Sequence, residues 1–126
     1  MTHKLELYKC RVCENVVEVI HEGQGILTCC DESMRLLEEH RADEQNPHYG
    51  HLEHIDELTK KVTFTHVATA EHHIELIEAI SNDGKYIKRK FLNEEEKPEL
   101  VFKCECKEGF YIRLYCNIDG VWTSKY

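Results

Sequence analysis

The run Cys10–Cys30, CRVCENVVEVIHEGQGILTCC, decides how the front of this chain folds, because it sets four cysteines in the pattern C-x2-C-x15-C-C. Neighbouring cysteines do not easily bridge each other. In an extended strand their side chains point to opposite faces, so Cys29 and Cys30 can serve one centre only across a turn. A knuckle at Cys10 and Cys13, together with a turned pair at Cys29 and Cys30, closes four thiolates around one metal. Tetrahedral sulfur ligation of that kind suits iron or zinc. Disulfides, redox thiols or four unrelated buried cysteines are the other readings, and none accounts for both the knuckle and the adjacent pair.

The flanking residues agree with a metal-stabilised fold. Leu5–Cys10 and Val16–Ile20 read as short strands, Gly23-Gln24-Gly25 as a turn, and Ile26-Leu27-Thr28 leads into the second pair. A segment of about 35 residues with so few large apolar groups cannot build a sufficient core alone, and bound metal supplies the missing folding free energy.

The whole chain has 126 residues, with 24 acidic against 16 basic side chains and a formal charge of −8. That balance argues against a nucleic-acid partner, which requires a basic face, and so against a DNA-binding zinc finger. No apolar stretch is long enough to cross a membrane, and the start, Met1-Thr2-His3-Lys4-Leu5-Glu6, has no signal-peptide core. A cytoplasmic protein is expected, in which thiols stay reduced and available to metal. Seven cysteines is an odd number and fits a disulfide framework poorly.

Three segments follow: a metal domain over 1–37, a polar linker without periodicity over 38–47, and a second domain over 48–126. In the second domain short alternating runs recur at Lys61–Val67, His73–Ile80, Tyr86–Leu92, Leu100–Cys106 and Phe110–Cys116. Asn82-Asp83-Gly84 is a hairpin signal, and Glu94-Glu95-Glu96-Lys97-Pro98 a solvated connection. His72–Ile80 also tolerates a helical reading, but its flanking turns favour a strand. The pattern predicts an all-β chain, a small metal domain followed by a β-sandwich of about 80 residues.

Six of the nine histidines lie in this second part. His48, His51 and His54 recur every third residue, His66, His72 and His73 follow, and Cys116 lies in Tyr115-Cys116-Asn117-Ile118-Asp119-Gly120. Spacing alone leaves a metal site and an accidental cluster of polar side chains equally open.

Taken together, C-x2-C-x15-C-C, a histidine after the linker, H-x5-H followed by Ile74-Glu75-Leu76-Ile77-Glu78, and a late Tyr115-Cys116-Asn117 resemble desulfoferrodoxin, the two-iron class of superoxide reductase. The similarity also takes in Lys9-Cys10, Val16-Val17-Glu18-Val19, Met34, Lys90-Phe91-Leu92 and Trp122, and so spans the chain. The resemblance implies a desulforedoxin-like domain with an Fe(Cys)4 site held by Cys10, Cys13, Cys29 and Cys30, then an immunoglobulin-like sandwich. It implies a second iron, catalytic, with His48, His66, His72 and Cys116 as ligands, the thiolate axial. His51 and His54 match no ligand of the family, and His73, next to His72, should face the other way. The activity implied is one-electron reduction of superoxide to hydrogen peroxide without release of dioxygen. An external donor such as a rubredoxin would restore the iron, the first iron could relay electrons, and the protein would be a homodimer.

Three departures stand out. The family's fourth imidazole, three residues after the axial cysteine, is here Asp119. A carboxylate can ligate iron and would lower its reduction potential; equally it can point to solvent, leaving three imidazoles and a thiolate, a set that also suits zinc. The second outcome is the one expected. The Glu-Lys pair that precedes the first histidine is Asn46-Pro47, which removes the lysine implied to attract superoxide and assist protonation. Glycines after Cys13 and Cys30 are Glu14 and Asp31, which strains the backbone if φ is positive there. Cys104 and Cys106 alternate along an expected strand; Cys104 reads as a packing residue, with a redox pair the less favoured alternative. Two functions remain: a superoxide reductase with altered chemistry at the second site, or an electron-transfer protein of the same family whose second site is altered or empty.

Overall fold

Thirteen strands and no helix make up the regular structure of the computed structural model, which describes residues 1–126. Contacts divide the chain into two units, Met1–Glu38 and Glu39–Tyr126.

In the first unit β1 (Leu7–Lys9) lies between β2 (Val16–Glu18) and β5 (Arg35–Leu36), antiparallel to both. β3 (Thr28–Cys29) and β4 (Glu32–Ser33) pair across a two-residue turn formed by Cys30 and Asp31, at φ 52° and 61°. Two central residues with positive φ match the right-handed twist of a tight hairpin. This is the turn that an adjacent cysteine pair requires. Glu14 also has positive φ, at 68°. Buried apolar side chains are few here, only Leu7, Cys10, Val19 and Leu37, so apolar burial holds this unit weakly.

The second unit is a sandwich. One sheet has the order β10 (Ile87–Phe91), β9 (Ile74–Ser81), β12 (Phe110–Cys116), β13 (Gly120–Lys125) and β6 (Glu39–Arg41); the other has β11 (Glu99–Lys103), β8 (Thr59–Thr63) and β7 (His51–His54). All pairs are antiparallel except β13 with β6. Alternation places Leu100 and Phe102 of β11 inward, against Val62 and Phe64, and they meet Ile77, Ile112 and Leu114 of the facing sheet. The central strands β9 and β12 are covered on both faces. On the face away from this core, Glu78 accepts from Arg113 Nε at 2.8 Å and from Arg89 at 2.6 Å, and Arg113 also reaches Glu39 at 3.3 Å. Register makes this ladder, since Glu78 stands opposite Arg89 on one side and Arg113 on the other.

Of the 72–80 run, the residues from Ile74 on form the strand β9 (Ile74–Ser81) and none form helix, and the Asn82–Gly84 signal is a hairpin with Gly84 at φ 74°. Within the segment read as a linker, Glu39–Arg41 is the strand β6, with all three side chains exposed. Beyond backbone hydrogen bonds to β13, it is held by Glu39 toward Arg113 and by His40 against Trp122 at 5.0 Å, so no hydrophobic period marks it. β11 stops at Lys103, which leaves Cys104 and Cys106 beyond the strand expected to carry them.

Candidate metal centres

The four N-terminal cysteines converge. Their sulfurs all lie within 4.8 Å of one another, with Cys13 to Cys29 at 3.6 Å and Cys29 to Cys30 at 3.9 Å. Four sulfurs around a tetrahedral centre, each bonded at about 2.3 Å, stand about 3.8 Å apart, so this cage has the size of a single metal site. The knuckle aims the backbone N–H groups of Val12 and Cys13 at Cys10 Sγ, at 3.3 and 3.4 Å. The Cys13 and Val12 amides bring the Cys10 thiol down to about 6, while its hydrogen bonds with Cys13 and Cys10 push Cys29 up to about 12. Sulfurs packed this closely hold protons against one another, and one cation replaces those protons. Cys10 is buried, whereas Cys13 and Cys30 are exposed.

A second cluster forms where β9 begins and β12 ends. His48 comes from the turn after Pro47, His66 from the segment after β8, and His72 from the segment before β9. Cys116 is the last residue of β12, and Asp119 lies in the loop that leads to β13. Asp119 Oδ2 is the common point: it is 2.9 Å from His48 Nε2, 3.4 Å from His66 Nε2, 2.8 Å from His72 Nε2 and 3.5 Å from Cys116 Sγ. Cys116 Sγ is 3.4 Å from His66 Nε2 and receives the Asp119 backbone N–H at 3.4 Å.

The other ring nitrogens fix the imidazoles. His66 Nδ1 donates to the Val67 carbonyl at 2.6 Å, and His48 Nδ1 donates to Asn46 Oδ1 at 2.7 Å. Because Nδ1 carries the proton, each Nε2 directs a lone pair at the Asp119 carboxylate and, from His66, at Cys116. Lone pairs and negative charge facing one another are mutually repulsive unless a cation lies between them. The donor set therefore fits a metal ion.

The electrostatics agree. Burial holds His48 below the ordinary imidazole range, which favours the neutral ligand, and burial pushes the Cys116 thiol up. Burial pushes the Asp119 carboxyl up, but its contacts with His72, His48 and His66 outweigh burial and bring it down to about 2, so the group that faces the Nε2 atoms is a carboxylate.

Among the histidines singled out in the sequence, His48 and His66 stand with Cys116 and Asp119 within 4.8 Å of one another, while His72 reaches that cluster through Asp119 Oδ2 at 2.8 Å. His51 and His54 are exposed on β7. His73 turns away and packs into its own loop, with Nδ1 donating to Thr69 O at 3.0 Å and its backbone N–H donating to Asn117 Oδ1 at 3.0 Å. Asp119, expected to stay outside, sits within the cluster. The reason is the β12–β13 connection, where Cys116 pairs with Gly120 at φ 82° and Asp119 is folded back onto the sulfur. Two further residues support the site. Asn46 orients His48, and Trp122 stacks on the His48 ring at 4.6 Å and 7° while its Nε1 donates to Asp119 O at 2.9 Å. Asn46 could have been read as a turn residue whose amide reaches a neighbour two residues on; nothing in the sequence marks the Trp122 stacking.

Comparison with known proteins is consistent along the chain. The family model "Desulfoferrodoxin, N-terminal domain" matches residues 2–37, and "Desulfoferrodoxin" matches residues 44–125. A desulfoferrodoxin homolog of Methanothermobacter thermautotrophicus is 37% identical over 97% of this chain and 99% of its own. A desulfoferrodoxin of Syntrophotalea carbinolica is 37% identical over 99% of each. In structure, the superoxide reductase from Treponema pallidum superposes with a TM-score of 0.74 at 21% identity, covering 97% of this chain and 98% of that one.

Proposed function

The chain belongs to the desulfoferrodoxin family, and from that premise we propose that it reduces superoxide to hydrogen peroxide at the cluster of His48, His66, His72 and Cys116. Its four-cysteine and His/Cys/Asp clusters fit the two iron sites of that family. The observation that carries the proposal is the orientation of His48 and His66, whose Nδ1 protons are taken by acceptors so that both Nε2 lone pairs face one point beside Cys116.

Iron bound there would supply the single electron that superoxide takes up. The residues do the rest. Neutral imidazoles leave the ion's charge uncancelled, and the buried Cys116 thiolate raises its electron donation. Asp119, whose carboxylate stands within the same cluster, would be a further ligand to that iron. Pro47, beside His48, carries neither charge nor proton, so capture of the anion has no local cation to steer it, and the overall charge of −8 works against it. Cys10, Cys13, Cys29 and Cys30 would hold the other iron, which would supply one-electron redox chemistry toward a small donor of the rubredoxin kind, and Cys13 and Cys30 are the exposed ligands a donor could approach. Val12, Val16, Val17, Ile20 and Ile26 are exposed on the first unit, apolar side chains of the kind that a second copy would cover in a homodimer.

Metal analysis and pulse radiolysis test this together. Two irons per chain, and superoxide decay that is first order in protein, slow for the family and nearly insensitive to ionic strength, are expected. A rate that falls steeply with salt contradicts the role given to Pro47. The second reading is an electron carrier with no turnover of superoxide, and it is favoured by Asp119 and by the absent lysine. One iron per chain and no protein-dependent decay would establish that reading instead.

A further inference from the structure

Two cysteines belong to neither metal cluster. Cys104 and Cys106 follow β11 and are joined as a disulfide, with Cα atoms 5.1 Å apart, inside the span such a bond bridges. The five other cysteines are free thiols, and all of them stand in the two metal clusters. A bond across one intervening residue constrains the unfolded chain least of all and ties β11 to no other element. Cys104 itself packs against the sandwich core, as the sequence suggested, but the bond to Cys106 adds little to holding the fold.

The surroundings suit chemistry better. Both cysteines are partly exposed and line an open cleft of about 590 Å3 beside Ser81, Tyr86, Lys103 and Lys107. Small oxidants and thiols reach them without any movement of the sandwich. The backbone N–H of Cys106 is aimed at Cys104 Sγ, 3.2 Å away, and once the bond is reduced that donor favours a thiolate at Cys104. The charges of the cleft do not favour a thiolate, since Asp83, Glu105 and Glu108 oppose Lys103 and Lys107, so the amide is the feature that singles out Cys104 as nucleophile.

We propose that Cys104 and Cys106 form a third redox site, made of sulfur alone, which reduces hydrogen peroxide and is recharged by an external dithiol. The Cys104 thiolate attacks one peroxide oxygen; the S–O bond forms, the O–O bond breaks, and the leaving hydroxide takes a proton to become water. Cys106 then attacks the sulfenic sulfur, the S–S bond forms, the S–O bond breaks, and a second water leaves. Two thiols and one peroxide become one disulfide and two waters. A dithiol then exchanges with the disulfide, restoring both cysteines and leaving oxidised itself. The metal centre proposed above would generate peroxide in the same molecule, but this chemistry does not depend on where the peroxide arises.

The test uses the full iron-loaded protein. After reduction with dithiothreitol and its removal, one equivalent of hydrogen peroxide is added, and the peptide spanning 104–106 is followed by thiol alkylation and mass spectrometry. The expected result is loss of both thiols per peroxide consumed and their full recovery in dithiothreitol. With dithiothreitol and peroxide both present, peroxide consumption should exceed that of Cys104→Ser at least tenfold, and Cys106→Ser should accumulate a sulfenic acid at Cys104 trapped by a cyclic diketone. A disulfide that resists dithiothreitol in the folded protein, thiols that survive the peroxide, or equal consumption by Cys104→Ser would each overturn the proposal. Cys104→Ser should reduce superoxide at the unaltered rate, so failure at the metal centre and failure at this pair are read separately.

Discussion

Asp119 is the residue on which the second centre's chemistry turns. Its carboxylate touches three imidazoles and a thiol, and it brings negative charge to a place that the family resemblance assigns to a neutral ring. Exchange for histidine should raise the reduction potential of iron bound there; a potential unchanged in an optical redox titration would mean that Asp119 does not ligate. Backbone strain makes a second prediction at this scale. Glu14 and Asp31 hold left-handed φ, where a side chain costs on the order of 1 kcal/mol relative to glycine. Glu14→Gly should stabilise the metal-loaded first unit by about 1 kcal/mol, and Asp31→Gly by less, because aspartate tolerates this region better. Chemical denaturation of the two variants checks the order. Tyr126 carries a pH effect: burial pushes its phenol well above the ordinary tyrosine range, and it donates to Gly50 O at 2.6 Å. An unfolded tyrosine releases its proton near pH 10, so above that pH the native chain holds one proton more and its stability falls as pH rises further. Tyr126→Phe should cost about 1 kcal/mol at neutral pH and lose this alkaline decline, as denaturation at pH 7 and pH 11 would reveal.

At the scale of elements, the pairing of β9 with β12 holds the second unit together and also sets the metal ligands at its end. Glu78 and Arg113 are both about fully buried, and truncating one leaves the other charged and unpaired. Glu78→Ala is expected to cost about 3–5 kcal/mol, whereas replacing both residues by apolar ones of similar size should cost far less; a double-mutant comparison separates the two cases. Gly50 is fixed by a close approach, since a Cβ there would lie 2.5 Å from Val62 Cγ2 and 2.6 Å from the Tyr126 hydroxyl. Most elements were legible in the sequence: the alternation in β11, the apolar run of β9 and the hairpin at Asn82–Gly84 all carry a local signal. β6 was not, because an edge strand with every side chain exposed is specified only by the partner whose hydrogen bonds it takes. Nor was the end of β11, because alternation runs on through Cys104 and Cys106 past Lys103, the last residue that pairs with β8.

Over the whole molecule, the two units owe their stability to different causes. The sandwich has a continuous apolar core from Val62 to Cys116, while Met1–Glu38 buries four apolar side chains. Stripping metal should therefore unfold the first unit and leave the second folded. Cys29→Ser should abolish the first unit's thermal transition while the transition of the sandwich persists, as calorimetry would show; loss of both transitions would contradict this division.

What the sequence determined by itself is the all-β class and the thiolate cage, because its four ligands are close along the chain and their spacing already encodes the knuckle and the turn. The composition of the second centre was decided only in three dimensions. Its donors come from separate segments, and whether a side chain such as Asp119 or Asn46 faces the cluster or the solvent depends on the register of β12 against β13 and on the turn ahead of His48. Those are long-range constraints: antiparallel pairing brings remote residues within hydrogen-bonding distance, and no local pattern of residues records which ones will meet.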